Sequence, residues 1–180
     1  MKTALVLFAE GSEELEAITV VNILRRGGIN VTLAGLSSGA LCGSCGVTVM
    51  PDTTLEMVLQ NDFDMIVLPG GQPGTNHLKA DPRVLKLVQK MAQQGKYVTA
   101  ICAAPSVLAT AGLLNDKQAA SFPGSLTPFP RVKQQHAAVI EDGKLITSRG
   151  PGTAMDFALT LVERLAGSAK RQEVEAGLQR

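Results

Sequence analysis

Thr3-Ala-Leu-Val-Leu-Phe-Ala9, then Glu10-Gly11, then Ser12-Glu-Glu-Leu-Glu16, is the stretch from which the fold can be read. An apolar run stopped by Glu-Gly reads as a strand buried on both faces. Ser12 predicts a helix cap, and the acidic residues behind it complement the positive end of the helix dipole. Leu15, Ile18, Val21 and Leu24 recur at helical spacing, and Arg25-Arg26-Gly27-Gly28 closes the helix. Ile29 to Leu36 is a second strand, with Gly35 inside it. Strand, helix and strand in this order favour a parallel sheet covered by helices.

Outward from that opening, residues 37–50 read as a loop and short hairpin, with Val47 to Met50 extended, and Thr54 to Gln60 as a short helix. Phe63 to Leu68 is a third buried strand, stopped by Pro69-Gly70-Gly71. Pro82 to Gln94 is amphipathic, with Leu85, Val88 and Met91 on one stripe. Tyr97 to Ile101 predicts a fourth strand, Ala104 to Leu114 a helix, and Ala119 to Phe122 a further strand before a Pro-punctuated loop. Asp142-Gly143 predicts a two-residue turn between Ala138–Glu141 and Lys144–Ser148. Thr153 is read as the cap of a last long helix, followed by a polar tail with Val174 and Leu178 four apart.

Composition narrows the function classes. The chain of 180 residues is expected to form one domain spanning 1–180; 45% hydrophobic against 18% charged residues is globular composition. A formal net charge of +1 leaves no basic footprint for nucleic acid, and one Tyr and no Trp leave few stacking platforms. No apolar run reaches the ~18–20 residues of a membrane span. The run from Thr3 to Ala9 ends at Glu10-Gly11, without the small-residue cleavage site of a signal peptide. Three cysteines make no disulfide framework, so a reducing, cytoplasmic setting is the default expectation.

Cys102 is the leading candidate for chemistry. It sits where a buried strand meets a helix, within Ala100-Ile-Cys-Ala-Ala104, with small residues on both sides. A nucleophile elbow needs small neighbours because its strained turn brings backbones close together. Such a turn exposes the sulfur at the carboxyl edge of the sheet, and a helix N-terminus there favours thiolate. The plainer reading is a buried, inert cysteine. Gly71 ends the neighbouring strand at the same edge, and its N–H with that of Ala103 would make an oxyanion hole; the plainer reading is an ordinary strand-to-helix turn. Glu16 aligns with Val20 and Ile23 rather than with the polar face. A carboxyl turned to the core there would have a raised pKa and exchange protons near neutrality, whereas an acidic first turn on a solvated surface needs no such role.

Cys42-Gly-Ser-Cys45 is a C-x-x-C that precedes an extended segment instead of opening a helix, and no second ligand pair accompanies it. It reads as two loop cysteines or a labile surface disulfide. His77 and His136 are the only imidazoles to consider as a base for Cys102. His136 is followed by Ala-Ala, not by the carboxylate a cysteine glutaminase would use.

Gly11-Ser-Glu-Glu-Leu-Glu16, Val67-Leu-Pro-Gly-Gly71, Ala100-Ile-Cys-Ala-Ala-Pro105 and Thr147-Ser-Arg-Gly-Pro-Gly-Thr153 together resemble the DJ-1/PfpI (ThiJ) superfamily, in its DJ-1 branch and as a bacterial-type member. The resemblance runs from Lys2 to about Leu165. It implies a flavodoxin-like three-layer α/β sandwich with a mostly parallel sheet, a cysteine nucleophile elbow, a homodimer, and no metal or organic cofactor. It matches the reactive cysteine to Cys102, the acidic partner to Glu16, and the backbone oxyanion donors to Gly71 and Ala103. It implies glutathione-independent glyoxalase or deglycase activity on a small aldehyde or glycated substrate, in protection against carbonyl and oxidative stress. The alternative it carries is a redox sensor or holdase chaperone working through oxidation of Cys102. Ser44-Cys45 stands where many members of the branch have Ser-Arg, so the arginine that would approach a partner subunit's site is absent.

Overall fold

The computed structural model describes residues 1–180. β1 (Thr3–Phe8) leads through α1 (Glu14–Arg26) to β2 (Asn30–Gly35), and β3 (Leu41–Cys42) and β4 (Thr48–Val49) form a small antiparallel hairpin. β5 (Thr53–Thr54), α2 (Leu55–Val58), β6 (Met65–Leu68), α3 (Gly74–Ala80), α4 (Pro82–Gln93), β7 (Tyr97–Ile101) and α5 (Pro105–Thr110) follow. β8 (Gln118–Ala119) pairs in parallel with β9 (Lys133–Gln134). The hairpin of β10 (Val139–Asp142) and β11 (Leu145–Ser148), a 3-10 turn at Pro151–Thr153, α6 (Ala154–Ala166) and α7 (Ser168–Gly177) complete the chain.

The main sheet runs β10-β11-β7-β6-β1-β2-β5, and only the β10–β11 pair is antiparallel. Alternation along β1 shows why its sequence is apolar throughout. Ala4, Val6 and Phe8 pack toward α1 and α6, while Leu5 and Leu7 pack toward α2, α4 and α5, all with no exposure. Helices therefore cover both faces, and the result is the flavodoxin-like three-layer α/β sandwich with a mostly parallel sheet. Truncating a side chain such as Leu5 to Ala would cost ~2–5 kcal/mol. β1, β6 and β7 lie side by side and end together, so the loops after Phe8, Leu68 and Ile101 meet at one sheet edge.

Several local expectations are corrected. Ser12 does not cap α1: its hydroxyl accepts the Ala9 N–H at 3.0 Å, and Glu13 caps the helix through the Leu15 N–H. The buried stripe of α1 is Glu16, Ala17, Val20, Val21, Ile23 and Leu24, whereas Leu15 and Ile18 are 51% and 43% exposed. α5 is shorter than its apolar stretch suggested and ends at Thr110. The hairpin loop is Gly143-Lys144, since Asp142 pairs with Leu145. Thr153 does not cap α6 with its side chain; its hydroxyl bonds instead to Gly150 and lies 2.6 Å from Ser148 Oγ. α3 has no counterpart in the sequence reading.

Candidate active site

Cys102 occupies the turn between β7 and α5 with φ 64°, a conformation rare for a residue with a side chain. Two backbone bonds hold it there: its N–H donates to Ser148 O at 3.0 Å, and its carbonyl accepts the Phe122 N–H at 2.7 Å. The strain is overdetermined by the structure around it, as in an elbow. The sulfur is nearly buried, at 8% exposure for the residue.

Glu16 reaches this turn from the first turn of α1 and is fully buried. Oε2 accepts the Gly70 N–H at 2.7 Å, while Oε1 is buried without a partner. The carboxyl lies close enough to the thiol for each to shift the other's pKa. Gly70 makes that approach possible, because a Cβ there would stand 2.5 Å from Cys102 Cβ and 3.0 Å from Glu16 Oε2. Gly71 has φ 84°, and a Cβ on it would collide with the Glu13 amide nitrogen. The backbone N–H groups of Gly71 and Ala103 lie near enough to Cys102 to favour its thiolate. The structure thus brings together all four residues singled out in the sequence.

Burial raises the Glu16 carboxyl to about 7, against the Gly70 N–H and Cys102, which pull it down. The Cys102 thiol is pushed up to about 12, first by burial and then by the charge of Glu16, against the N–H groups of Gly71 and Ala103. The lowered thiol pKa expected from a helix N-terminus is therefore corrected: α5 has only six residues, and burial beside a carboxyl outweighs it. The two groups titrate as a pair, losing one proton near neutrality and holding the second far above it.

The histidines stand apart from this pair. His77 is exposed, with Nδ1 2.9 Å from Glu10 O, and His136 is exposed, with its carbonyl accepting from Arg149 at 3.0 Å. Cys42 and Cys45 are free and exposed. Glu13, Glu14 and Cys45 lie close together, but the Glu14 carboxylate already accepts the N–H groups of Cys45 and Val47. These bonds hold its pKa below the usual range despite burial and fasten the β3–β4 hairpin to α1. Beside Cys102 opens a cleft of about 300 Å³ lined by Phe122, Arg149, Gly150, Pro151, Gly152 and Thr153. A Cβ on Gly150 would lie 4.0 Å from the Cys102 sulfur and 3.6 Å from the Phe122 ring. Phe122 and Arg149 come from distant segments, and only the Arg149-Gly-Pro-Gly-Thr153 motif signalled this wall in the sequence.

Comparison with known proteins identifies the family and the fold. The DJ-1/PfpI family model matches residues 2–164. The chain is 45% identical to protein dj-1beta of Drosophila melanogaster, covering 98% of this chain and 96% of that one. It is 36% identical to the glutathione-independent glyoxalase DJR-1.2 of Caenorhabditis elegans, over 94% and 91% of the two chains. The crystal structure of Drosophila DJ-1beta superposes with a TM-score of 0.95, covering 99% of this chain and 97% of that chain. Oxidized Toxoplasma gondii DJ-1 also superposes with a TM-score of 0.95, at 33% identity over 99% and 98%. These relatives are eukaryotic, so the bacterial-type placement within the family is not borne out. No helix is long and apolar enough to cross a membrane. Matched by the family model over residues 2–164 and 45% identical to a full-length relative, the chain belongs to the DJ-1/PfpI family.

Proposed function

We propose that the protein is a cofactor-independent cysteine enzyme acting on small reactive carbonyls, with Cys102 as nucleophile and Glu16 as proton carrier. The observation that carries this reading is the Glu16 carboxyl: fully buried beside the thiol, raised to about 7, with Oε1 unpartnered. A group with that pKa gives and takes protons at neutral pH with little driving-force penalty.

The sequence of steps follows from the pair. Glu16 accepts the thiol proton as the sulfur attacks the aldehyde carbon of methylglyoxal; the S–C bond forms and the carbonyl π pair moves to oxygen. The N–H groups of Gly71 and Ala103 hold that oxygen until it takes the proton, giving a hemithioacetal. Glu16 then removes the hydrogen on C1 and returns it to C2, while the hydroxyl proton on C1 moves to the oxygen on C2. The aldehyde carbon is thereby oxidised and the ketone carbon reduced, leaving a lactoyl thioester. Water cleaves the thioester to lactate and restores the thiol. From an aminocarbinol, the S–C bond would form as the C–N bond breaks, the amine leaving with the proton taken from the thiol by Glu16, and the same later steps would register as deglycase activity. The relative named as a glutathione-independent glyoxalase supports this reading. Lactate formed from methylglyoxal without glutathione is the test; a wild type no faster than Cys102→Ser overturns it.

A second reading, oxidation of Cys102 by peroxide as a sensor or holdase signal, draws support from the relative solved in an oxidized state. The low exposure of Cys102 weighs against fast oxidation. The protein is further proposed to work as a homodimer in a reducing, cytoplasmic setting. Leu15, Ile18, Val47 and Met50 are exposed by 51%, 43%, 56% and 68%, and all three cysteines are free.

A further inference from the structure

The cleft beside Cys102 contains a positive charge that the proton-transfer chemistry does not use. Arg25, Arg83, Arg131, Arg164, Arg171 and Arg180 each pair with a carboxylate. Arg149 and Arg26 have no such partner; Arg26 donates to Asn22 Oδ1 at 2.8 Å, outside the cleft lining, whereas the one hydrogen bond of Arg149 runs from Nη1 to the carbonyl of His136 at 3.0 Å. A planar guanidinium offers five donors, so most of its capacity is unspent. The other lining residues, Phe122, Gly150, Pro151, Gly152 and Thr153, bring no acid to neutralise it. Arg149 is also adjacent in the chain to Gly150, whose Cβ position is 4.0 Å from the nucleophilic sulfur. A cation in a concave wall, one residue from the reacting atom and without a counter-charge, is placed to meet an anionic group on a molecule held at that sulfur.

We infer that Arg149 is a specificity-determining residue that selects short aldehydes carrying an oxyanionic group, carboxylate or phosphate, at the end remote from the reacting carbonyl. The inference rests on the carbonyl reading of Cys102 and names the substrate class within it. The carbonyl carbon would bond to sulfur, its π pair passing to oxygen and the thiol proton following. The anion would lie in the cleft against the guanidinium, with the Phe122 ring closing one side. The absence of a side chain on Gly150 leaves the path between the two ends open.

The test uses the full chain and does not depend on turnover. With Cys42 and Cys45, both free and exposed, replaced by Ser, alkylation of Cys102 by iodoacetamide is followed by intact mass in the presence of glyoxylate, of a phosphorylated short aldehyde, or of neutral glycolaldehyde. Reversible addition of any of them to the sulfur slows alkylation. The wild type should be half-protected by at least one anionic aldehyde at roughly fivefold to tenfold lower concentration than by glycolaldehyde, the scale of one charge-assisted hydrogen bond at a half-open site. Protection by one anion and not the other assigns the headgroup. Arg149→Gln should bring the ratio to about one, and Arg149→Lys should retain part of it. A ratio near one in the wild type, or an anion preference that survives in Arg149→Gln, overturns the inference. Lactate production from methylglyoxal on the same preparation separates the two levels: turnover without anion preference refutes the role of Arg149 alone. No protection by any of the three aldehydes, together with no turnover, removes the carbonyl reading and the inference with it.

Discussion

Replacing Glu16 with Gln should change how the stability of the protein depends on pH. The carboxyl is raised from 4.5 to about 7 in the fold because it is buried. A carboxyl raised by folding contributes its stability below its unfolded pKa, and that stability is lost as pH rises through the folded value. At ~1.36 kcal/mol per pH unit, ionising Glu16 in place costs about 3 kcal/mol once both states are charged. Between about pH 5 and about pH 8 the native state loses roughly 2.5 kcal/mol of this contribution. Cys102 does not blur this window, since its thiol is raised from 9.0 and its contribution is still intact at pH 8, being lost only as pH rises above the unfolded thiol value. Gln has the same shape, can still accept the Gly70 N–H and has no charge to bury. Urea unfolding of wild type and Glu16→Gln at the two pH values, at fixed protein concentration, isolates the difference. The wild type should lose roughly 2.5 kcal/mol more than the variant on raising the pH. Equal losses would show that Glu16 is already ionised without strain, and the proton-carrier role would lose its physical basis.

The same substitution should lower the thiol pKa of Cys102, since the carboxylate that opposes its ionisation is gone, while abolishing carbonyl turnover; ultraviolet thiolate titration beside the lactate assay checks both. Gly71→Ala should destabilise the chain by more than about 2 kcal/mol in thermal or urea unfolding, because φ 84° disfavours a side chain and the Glu13 amide occupies its place. Ile18→Asp should shift the species seen by light scattering from dimer to monomer at micromolar concentration while leaving the far-ultraviolet spectrum unchanged; an unchanged dimer mass would place the interface elsewhere.

Strands buried on both faces declare themselves locally, and β1 and β7 were legible for that reason: every side chain of Ala4 to Phe8 must be apolar. Cys102 was legible because an elbow imposes small neighbours within two residues. Glu16 was found by its phase with Val20 and Ile23, and the same phase argues against Leu15 and Ile18 as core, which their helical spacing with Val21 and Leu24 suggests. Ser12 misled because a hydroxyl in a turn can satisfy a preceding strand's N–H as readily as a helix's. α3 escaped notice because its seven residues contain a single large buried apolar side chain, Leu78. The direction of the thiol pKa could not be read from the sequence, because burial depends on three loops that meet only in the fold. The place of Phe122 in the cleft wall was hidden for the same reason, whereas Arg149 lies in a motif the sequence showed.

The sulfur, carboxyl and donor groups are spaced by backbone alone, at two glycines where no further atom fits. A drifting lineage therefore has almost no room to adjust the reacting centre by mutation, because each available step there adds bulk. The rim has the opposite character: Phe122 and Arg149 line the cleft with exposed side chains, where a change of size meets solvent rather than backbone. Divergence within this architecture should accordingly be found at the rim, with new ligands accommodated around an unchanged chemical centre.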